Sequence, residues 1–364
     1  MTRPHLLLIH LVAGRDLQRE IDEAVVRTAL EHRVAGLLKT AIDQGAHATE
    51  EAKEKLMTID IASWARNRAL VEATKRIAGI AEQLAIDIAF IKGITTESRW
   101  YSRLGERPAQ DVDLVLAPWH RHRAIELVAA LQPSHSLLPT LERILRKDRI
   151  QSIDLGFNGL PVDLHLDPLK LEVASTRYPE RFWEGRCETL LDGSPVPVFD
   201  PTVTLLLSAH ALNKDRFRYL IGYADVIRIE ADPAFDMSRC EQLARSEGLL
   251  VPFRETLVAV SHDLGLAASG GQHPIWQRLW GEPVRLRGKE ASVRFRYRQS
   301  FLPLFDARRW PEVVVAWWRR LFPTTALLNR QYPDIRGPYL LRIVTARISR
   351  RLMRRRQRED VTTD

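Results

Sequence analysis

At 364 residues, 45% hydrophobic and 27% charged, the chain is long enough for two domains with real cores and too apolar for a disordered tail protein. Its two cysteines, Cys187 and Cys240, exclude a disulfide scaffold and a cysteine-based metal site, so a reducing, cytoplasmic setting is expected. The formal net charge is +8, concentrated toward the C-terminal end.

In chain order, the apolar run over residues 5–14 contains His10 and is too short to span a bilayer. With Arg15, Asp16 and Arg19 after it and no small-residue cleavage site, it reads as a core helix. Apolar residues then recur at helical spacing (Val25, Ala29, Val34, Leu37, Leu38, Ile42, and later Leu70, Ala73, Ile77, Ile80, Leu84), predicting an N-terminal helical region over residues 1–85. His32 and Arg33 lie in it, and the pattern assigns them no chemistry. A strand over residues 87–91 ends in the turn Lys92-Gly93, followed by a short helix.

The next expected strand, residues 107–116, carries Asp111 and Asp113. Alternation in a strand puts both carboxylates on one face, opposite Val112, Leu114 and Leu116. Two anions at that separation repel unless a proton is shared or a cation sits between them, and hard oxygen ligands on one strand face suit Mg²⁺. After Pro118 comes a helix over residues 120–131, whose His120, Arg121 and His122 read as a solvated first turn, then a helix or connector over 137–149. Asn158-Gly159 between two alternating apolar runs predicts a tight hairpin. On its second arm Asp163 and His165 share the face opposite Val162, Leu164 and Leu166. If this hairpin extends the Asp-x-Asp sheet, Asp163 joins Asp111 and Asp113.

Residues 192–201, rich in Gly, Ser and Pro, read as a connector, and Asp200 or Thr202 as the cap of a helix carrying His210 and Lys214 on one face. Residues 224–260 continue as helices, with Asp225 and Arg228 at polar positions, and loops are expected near Gly270-Gly271 and Gly281. Residues 285–309 interleave arginines with Phe295, Tyr297 and Phe301; a core aromatic stripe with solvated arginines explains this, so no strong nucleic-acid signal emerges. Beyond Trp317-Trp318-Arg319-Arg320, residues 339–358 form a basic amphipathic pattern with Leu340, Leu341, Val344, Ile348 and Leu352 on one side. Such a helix fits an anionic membrane surface, and a solvated tail explains it equally. No GxGxxG and no P-loop sequence occurs.

The order Lys92-Gly93, Tyr101, Arg107, Asp111-x-Asp113, then Val162-Asp163-Leu164-His165, resembles the bacterial uncharacterised nucleotidyltransferases of the DNA polymerase beta superfamily. The resemblance extends through the residues from His32 to Leu38, those from Leu206 to Lys214, Tyr219-Leu220, Asp225 and residues 323–342. Ile94 stands where the superfamily usually has Ser or Gly, with hydroxyls only at Thr95, Thr96 and Ser98. The resemblance implies an α+β fold in which a polymerase-beta-like core, residues 86–200, is flanked by helical regions at 1–85 and 201–335 and by a basic helix and tail at 336–364. It also implies transfer of a nucleoside monophosphate from an NTP to an acceptor (a small molecule, sugar phosphate, peptide or protein) with release of pyrophosphate. Asp111, Asp113 and Asp163 would be both catalytic and metal-binding, with two Mg²⁺ ions and Mn²⁺ as the alternative. Lys92, Gly93, Arg107, His210 and Lys214 would contact nucleotide or phosphate. The competing reading is a non-catalytic nucleotide-sensing or partner-binding protein docked to membrane or nucleic acid by its arginine-rich end. The complete set of acidic positions favours catalysis over it.

Overall fold

The computed structural model describes residues 3–266, apart from residues 18, 137, 147–151, 170–179 and 216. All of the described residues lie in one of the chain's two compact units. The loops expected near residues 270 and 281, the arginine-dense stretches 285–309 and 317–320, and the basic helix 339–358 with its membrane-docking reading lie outside the described residues.

Four helices open the chain: α1 (Arg3–Val12), α2 (Glu23–Glu31), α3 (Ala35–Asp43) and α4 (Glu50–Gln83). The apolar run at the start is a buried helix, with Leu7, Leu8, Ile9 and Val12 in the interior. Helix α2 starts where Asp22 accepts the Val25 N–H at 2.9 Å, and α4 starts where Thr49 Oγ1 accepts that of Ala52 at 3.2 Å. Glu50 and Glu51 face the positive end of the α4 dipole. Helix α4 has 34 residues, and its Leu70, Ala73, Ile77 and Ala81 belong to the main core.

The sheet follows: β1 (Ile88–Ile91), α5 (Gly93–Trp100), β2 (Val112–Leu116), a 3₁₀ turn over Pro118–Arg123, α6 (Ala124–Leu131), α7 (Leu138–Arg146), β3 (Ser152–Phe157), β4 (Leu160–His165), a second 3₁₀ turn over Glu180–Gly185, β5 (Arg186–Leu191) and β6 (Ser194–Phe199). Its strand order is β3-β4-β2-β1-β6-β5. The β1–β2, β3–β4 and β5–β6 pairs are antiparallel, and β2–β4 and β1–β6 are parallel. One face buries Ile88, Phe90, Val112, Leu114, Leu116, Val162, Leu164, Val196 and Val198 against α4, α6 and α7. Period-2 alternation therefore turns the intervening residues of β2 and β4 to the opposite face, where the candidate site lies. Helices α8 (Pro201–Lys214), α9 (Leu220–Glu230), α10 (Met237–Ser246) and α11 (Leu250–Asp263) complete the described chain, and Asp200 is the α8 cap, accepting the Val203 N–H at 2.9 Å. The fold is α+β, built on this mixed sheet.

Two expectations change. The strand read over residues 107–116 begins only at Val112, because the backbone ahead of it bonds to side chains instead of a neighbouring strand. Arg107 N donates to Glu97 Oε1, Arg107 O accepts from Asn67 Nδ2, and Ala109 N donates to Asn67 Oδ1. The stretch read as a connector contains β6, paired with β5. Pro195 and Pro197 disguise it, since proline is rare inside sheets, yet Val196 and Val198 keep strict alternation and are buried.

Candidate functional site

The site begins with strand register. Strands β2 and β4 run parallel with Asp113 opposite Asp163 and Val115 opposite His165. Directly paired residues on adjacent strands share a face, so the two carboxylates stand side by side although 50 residues apart in sequence. On the far side of β4, Asp154 of β3 pairs with Asp163, which makes a row of three carboxylates across three strands. Asp111 lies in the bend just ahead of β2. Burial, and next the charge of Asp113, raise its pKa; Asp163 adds to the rise and Lys92 opposes it. The three predicted aspartates thus form one electrostatic unit that disfavours full ionisation and would be relieved by a cation.

His165 completes the cluster. Its ring is 1% exposed, with Nε2 2.7 Å from Asp113 Oδ1 and 3.4 Å from Asp163 Oδ2. Its Nδ1 is buried without a hydrogen-bond partner. A ring carrying its proton on Nε2 donates to Asp113 and leaves only a lone pair unmet on Nδ1, the cheaper arrangement. Asp113, Asp163 and His165 can each offer a ligand atom within 4.8 Å of the other two. Alternation put His165 on the same face as Asp163, but nothing in the one-dimensional pattern said that its ring would reach Asp113.

The Lys92-Gly93 turn closes one side. Lys92 has φ 57° and ψ −158°, and Gly93 has φ 41°. Two consecutive left-handed residues suit glycine, and holding lysine in such a conformation costs roughly 1–3 kcal/mol. The turn is fixed because the Lys92 carbonyl accepts from Thr95 N at 3.1 Å, Thr96 N at 3.2 Å and Thr95 Oγ1 at 2.9 Å. Lys92 Nζ lies 3.5 Å from Asp113 Oδ1. The hydroxyls that follow Gly93 serve the fold: Thr95 and Thr96 are buried, and Ser98 donates to Leu190 O. His210 of α8 also belongs to this side. Burial, then the charges of Lys92 and Lys214, push its pKa down to about 4, partly offset by a hydrogen bond with the Leu169 backbone. Lys92 thus stands beside Asp113, and its charge and that of Lys214 both bear on His210.

Arg107 is placed differently. Its Nε and Nη2 each lie 2.8 Å from an oxygen of Asp225, and Tyr101 Oη donates to the same carboxylate at 2.6 Å. The pair is nearly dry, with side-chain exposures of 12% and 7%. Arg107 Nη1 reaches Gly93 O at 3.3 Å. Burial would lower its pKa, but the charge and hydrogen bonds of Asp225 hold it above the ordinary value. Arg107 thus reaches the turn by donating from Nη1 to the Gly93 carbonyl, with Nε and Nη2 committed to Asp225 on α9. Below it, buried Glu97 accepts from Asn67 Nδ2 at 2.7 Å and from Gly105 N at 2.7 Å, fixing the loop that leads into Asp111.

Residues 19–265 match the model of a family described as uncharacterised nucleotidyltransferase, a span that includes every residue of this site. The chain belongs to that family. A nucleotidyltransferase-like function follows from membership at that level of description. Among solved structures, an antigenic nucleotidyltransferase-like protein from Paracoccidioides brasiliensis is similar at 18% identity over 52% of this chain and 91% of its own, with a TM-score of 0.29. No curated protein matches the chain. No helix among the described residues of this family member is long and apolar enough to cross a membrane.

Proposed function

We propose that the chain transfers a nucleoside monophosphate from an NTP to an acceptor and releases pyrophosphate. The observation that carries this reading is the parallel register of Asp113 with Asp163, capped by His165 and flanked by Asp111. Hard carboxylate oxygens in a half-buried, mutually repelling set fit a divalent ion, with Asp111, Asp113 and Asp163 as its holders and Mg²⁺ or Mn²⁺ as the ion. When bound, the metal would supply neutralisation of phosphate charge and a lowered pKa for the acceptor oxygen.

The chain's own residues do the rest. Lys92 and Lys214 would form the basic wall on which the phosphates lie, while His210, kept neutral by its low pKa and with its one N–H on the Leu169 backbone, lines that wall without adding charge. His165 holds Asp113 toward Asp163 and is a positioning residue. Arg107 sets the Gly93 turn and does not touch phosphate. In transfer, the acceptor oxygen would form a bond to the α-phosphorus as the α–β bridging bond breaks; pyrophosphate departs and the acceptor proton passes to Asp163. The test separates these roles. Asp163→Ala should bind a non-hydrolysable NTP within about threefold of wild type by calorimetry and yet transfer nothing. An equal loss of NTP affinity would place Asp163 on the nucleotide side and refute the assignment.

A further inference from the structure

The longest helix leaves an apolar stripe uncovered. Along α4, Met57, Ile61 and Trp64 are 59%, 61% and 51% exposed, and they are three of the seven large hydrophobic side chains that stand out among the described residues. Spacings of four and then three residues set them in one column. That column lies opposite the side on which α4 buries Leu56, Asn67 and Leu70. Beside it run Ala62, Ala65 and Ala69, also exposed, whose small side chains let another helix come close on that flank. A lone exposed apolar residue is ordinary, whereas a contiguous stripe marks a surface that another molecule covers.

The stripe is complementary to itself. When two copies of α4 lie antiparallel about a two-fold axis at Ile61, Ile61 meets its own copy and Met57 of each chain meets Trp64 of the other, a thioether against an aromatic ring. The seam continues outward through Glu54 at one end and Arg68 at the other. Antiparallel pairing sets Glu54 of each copy against Arg68 of the other, whereas parallel pairing stacks like charge on like. Glu54 is open to such a partner: its neighbours Lys53 and Lys55 are taken by Glu50 at 2.6 Å and Glu23 at 2.5 Å, and it makes no ion pair of its own among the described residues. Arg68 is ordered by Asp192, which accepts from Nη1 at 2.9 Å. Exposed ion pairs add little affinity, so the charges select the direction and burial of the three apolar side chains supplies the attraction. We propose that α4 is the face through which two copies of this chain form an antiparallel dimer. A second copy is favoured over an unrelated partner because a two-fold interface requires what this seam has, one patch that fits itself with residue i on j and j on i.

Analytical ultracentrifugation of the full chain tests this. The stripe is short, so the dissociation constant should lie in the micromolar range, and the wild type should sediment as a dimer at about 100 µM. Ile61→Asp puts two like charges face to face on the axis and should weaken the dimer at least roughly thirtyfold. Because that side chain is already exposed, the variant should keep the circular dichroism and melting temperature of wild type. Register is read by cross-linking. Met57→Cys mixed with Trp64→Cys should form, on oxidation, a disulfide-linked pair of one chain of each, identified by its mass. Met57→Cys alone should not exceed the wild-type level, since two copies of residue 57 stand about 12 Å apart along the helices and a disulfide spans about 7 Å. Asp113→Asn should dimerise as wild type does, so the inference stands or falls apart from the transfer reading. A chain that stays monomeric at about 100 µM would overturn the proposal and give the stripe to a different partner. A dimer that survives Ile61→Asp, or Met57→Cys that links to itself as readily as to Trp64→Cys, would overturn it too.

Discussion

Replacing Asp225 with Asn should destabilise the protein more than any single change on its surface. In the native chain Asp225 Oδ1 accepts from Tyr101 Oη at 2.6 Å and Arg107 Nε at 2.8 Å, while Oδ2 accepts from Arg107 Nη2 at 2.8 Å. Asparagine keeps the shape but turns one acceptor into a donor aimed at another donor and leaves the Arg107 charge uncompensated at 12% exposure. Breaking a buried pair in this way costs about 3–5 kcal/mol. Because the apolar double replacement Arg107→Met with Asp225→Leu removes both charges, its cost should fall well below the sum of the two single changes, with a coupling energy of about 2–3 kcal/mol. Urea unfolding followed by far-ultraviolet circular dichroism reads all four corners of the cycle. A Asp225→Asn variant within 1 kcal/mol of wild type, or a cycle with no coupling, would refute the view of Arg107 as the internal clamp of the Gly93 turn and free it for phosphate.

Asp111→Asn removes a carboxylate whose ionisation burial and Asp113 disfavour, so the metal-free variant should melt a few degrees above wild type at pH 7 while added Mg²⁺ no longer stabilises it. A variant that melts lower and still gains stability from Mg²⁺ would contradict the repelling-carboxylate picture. His210 has a folded pKa near 4, below its ordinary value of 6.5, so its contribution to stability is fully present above pH 6.5 and is lost as pH falls toward 4. Between pH 7 and pH 4.5, His210→Gln should therefore lose about 2–3 kcal/mol less stability than wild type, measured by urea unfolding at both pH values; parallel losses would show that His210 is not held neutral.

Much of the site was legible where local rules decide it. Asn158 and Gly159 take the positive φ values, 51° and 77°, that their hairpin demands, and alternation alone placed Asp163 and His165 on the face opposite the core. The meeting of Asp113 with Asp163 was only conditional in the sequence, because it depends on β4 pairing with β2 across a long insertion. Contacts carried by distant segments left no periodic trace: Asp225 lies 118 residues from Arg107. The family resemblance alone makes Arg107 a phosphate contact, and only the packing of α9 reveals Asp225 as the partner of its guanidinium. The β5–β6 hairpin was hidden by Pro195 and Pro197, whose turn propensity outweighed the alternation of Val196 and Val198.

The proposed transfer of a nucleotidyl group by the carboxylate row is tested directly by following the two ends of the triphosphate. Protein, Mg²⁺ and a cell extract are incubated with NTP labelled at the α-phosphate and, separately, at the γ-phosphate. The account predicts an acceptor that carries label from the α-phosphate only, with γ-label recovered in pyrophosphate, and no labelling by Asp113→Asn protein of wild-type circular dichroism. Acceptor label arising from the γ-phosphate, or α-labelling undiminished in Asp113→Asn, would contradict it.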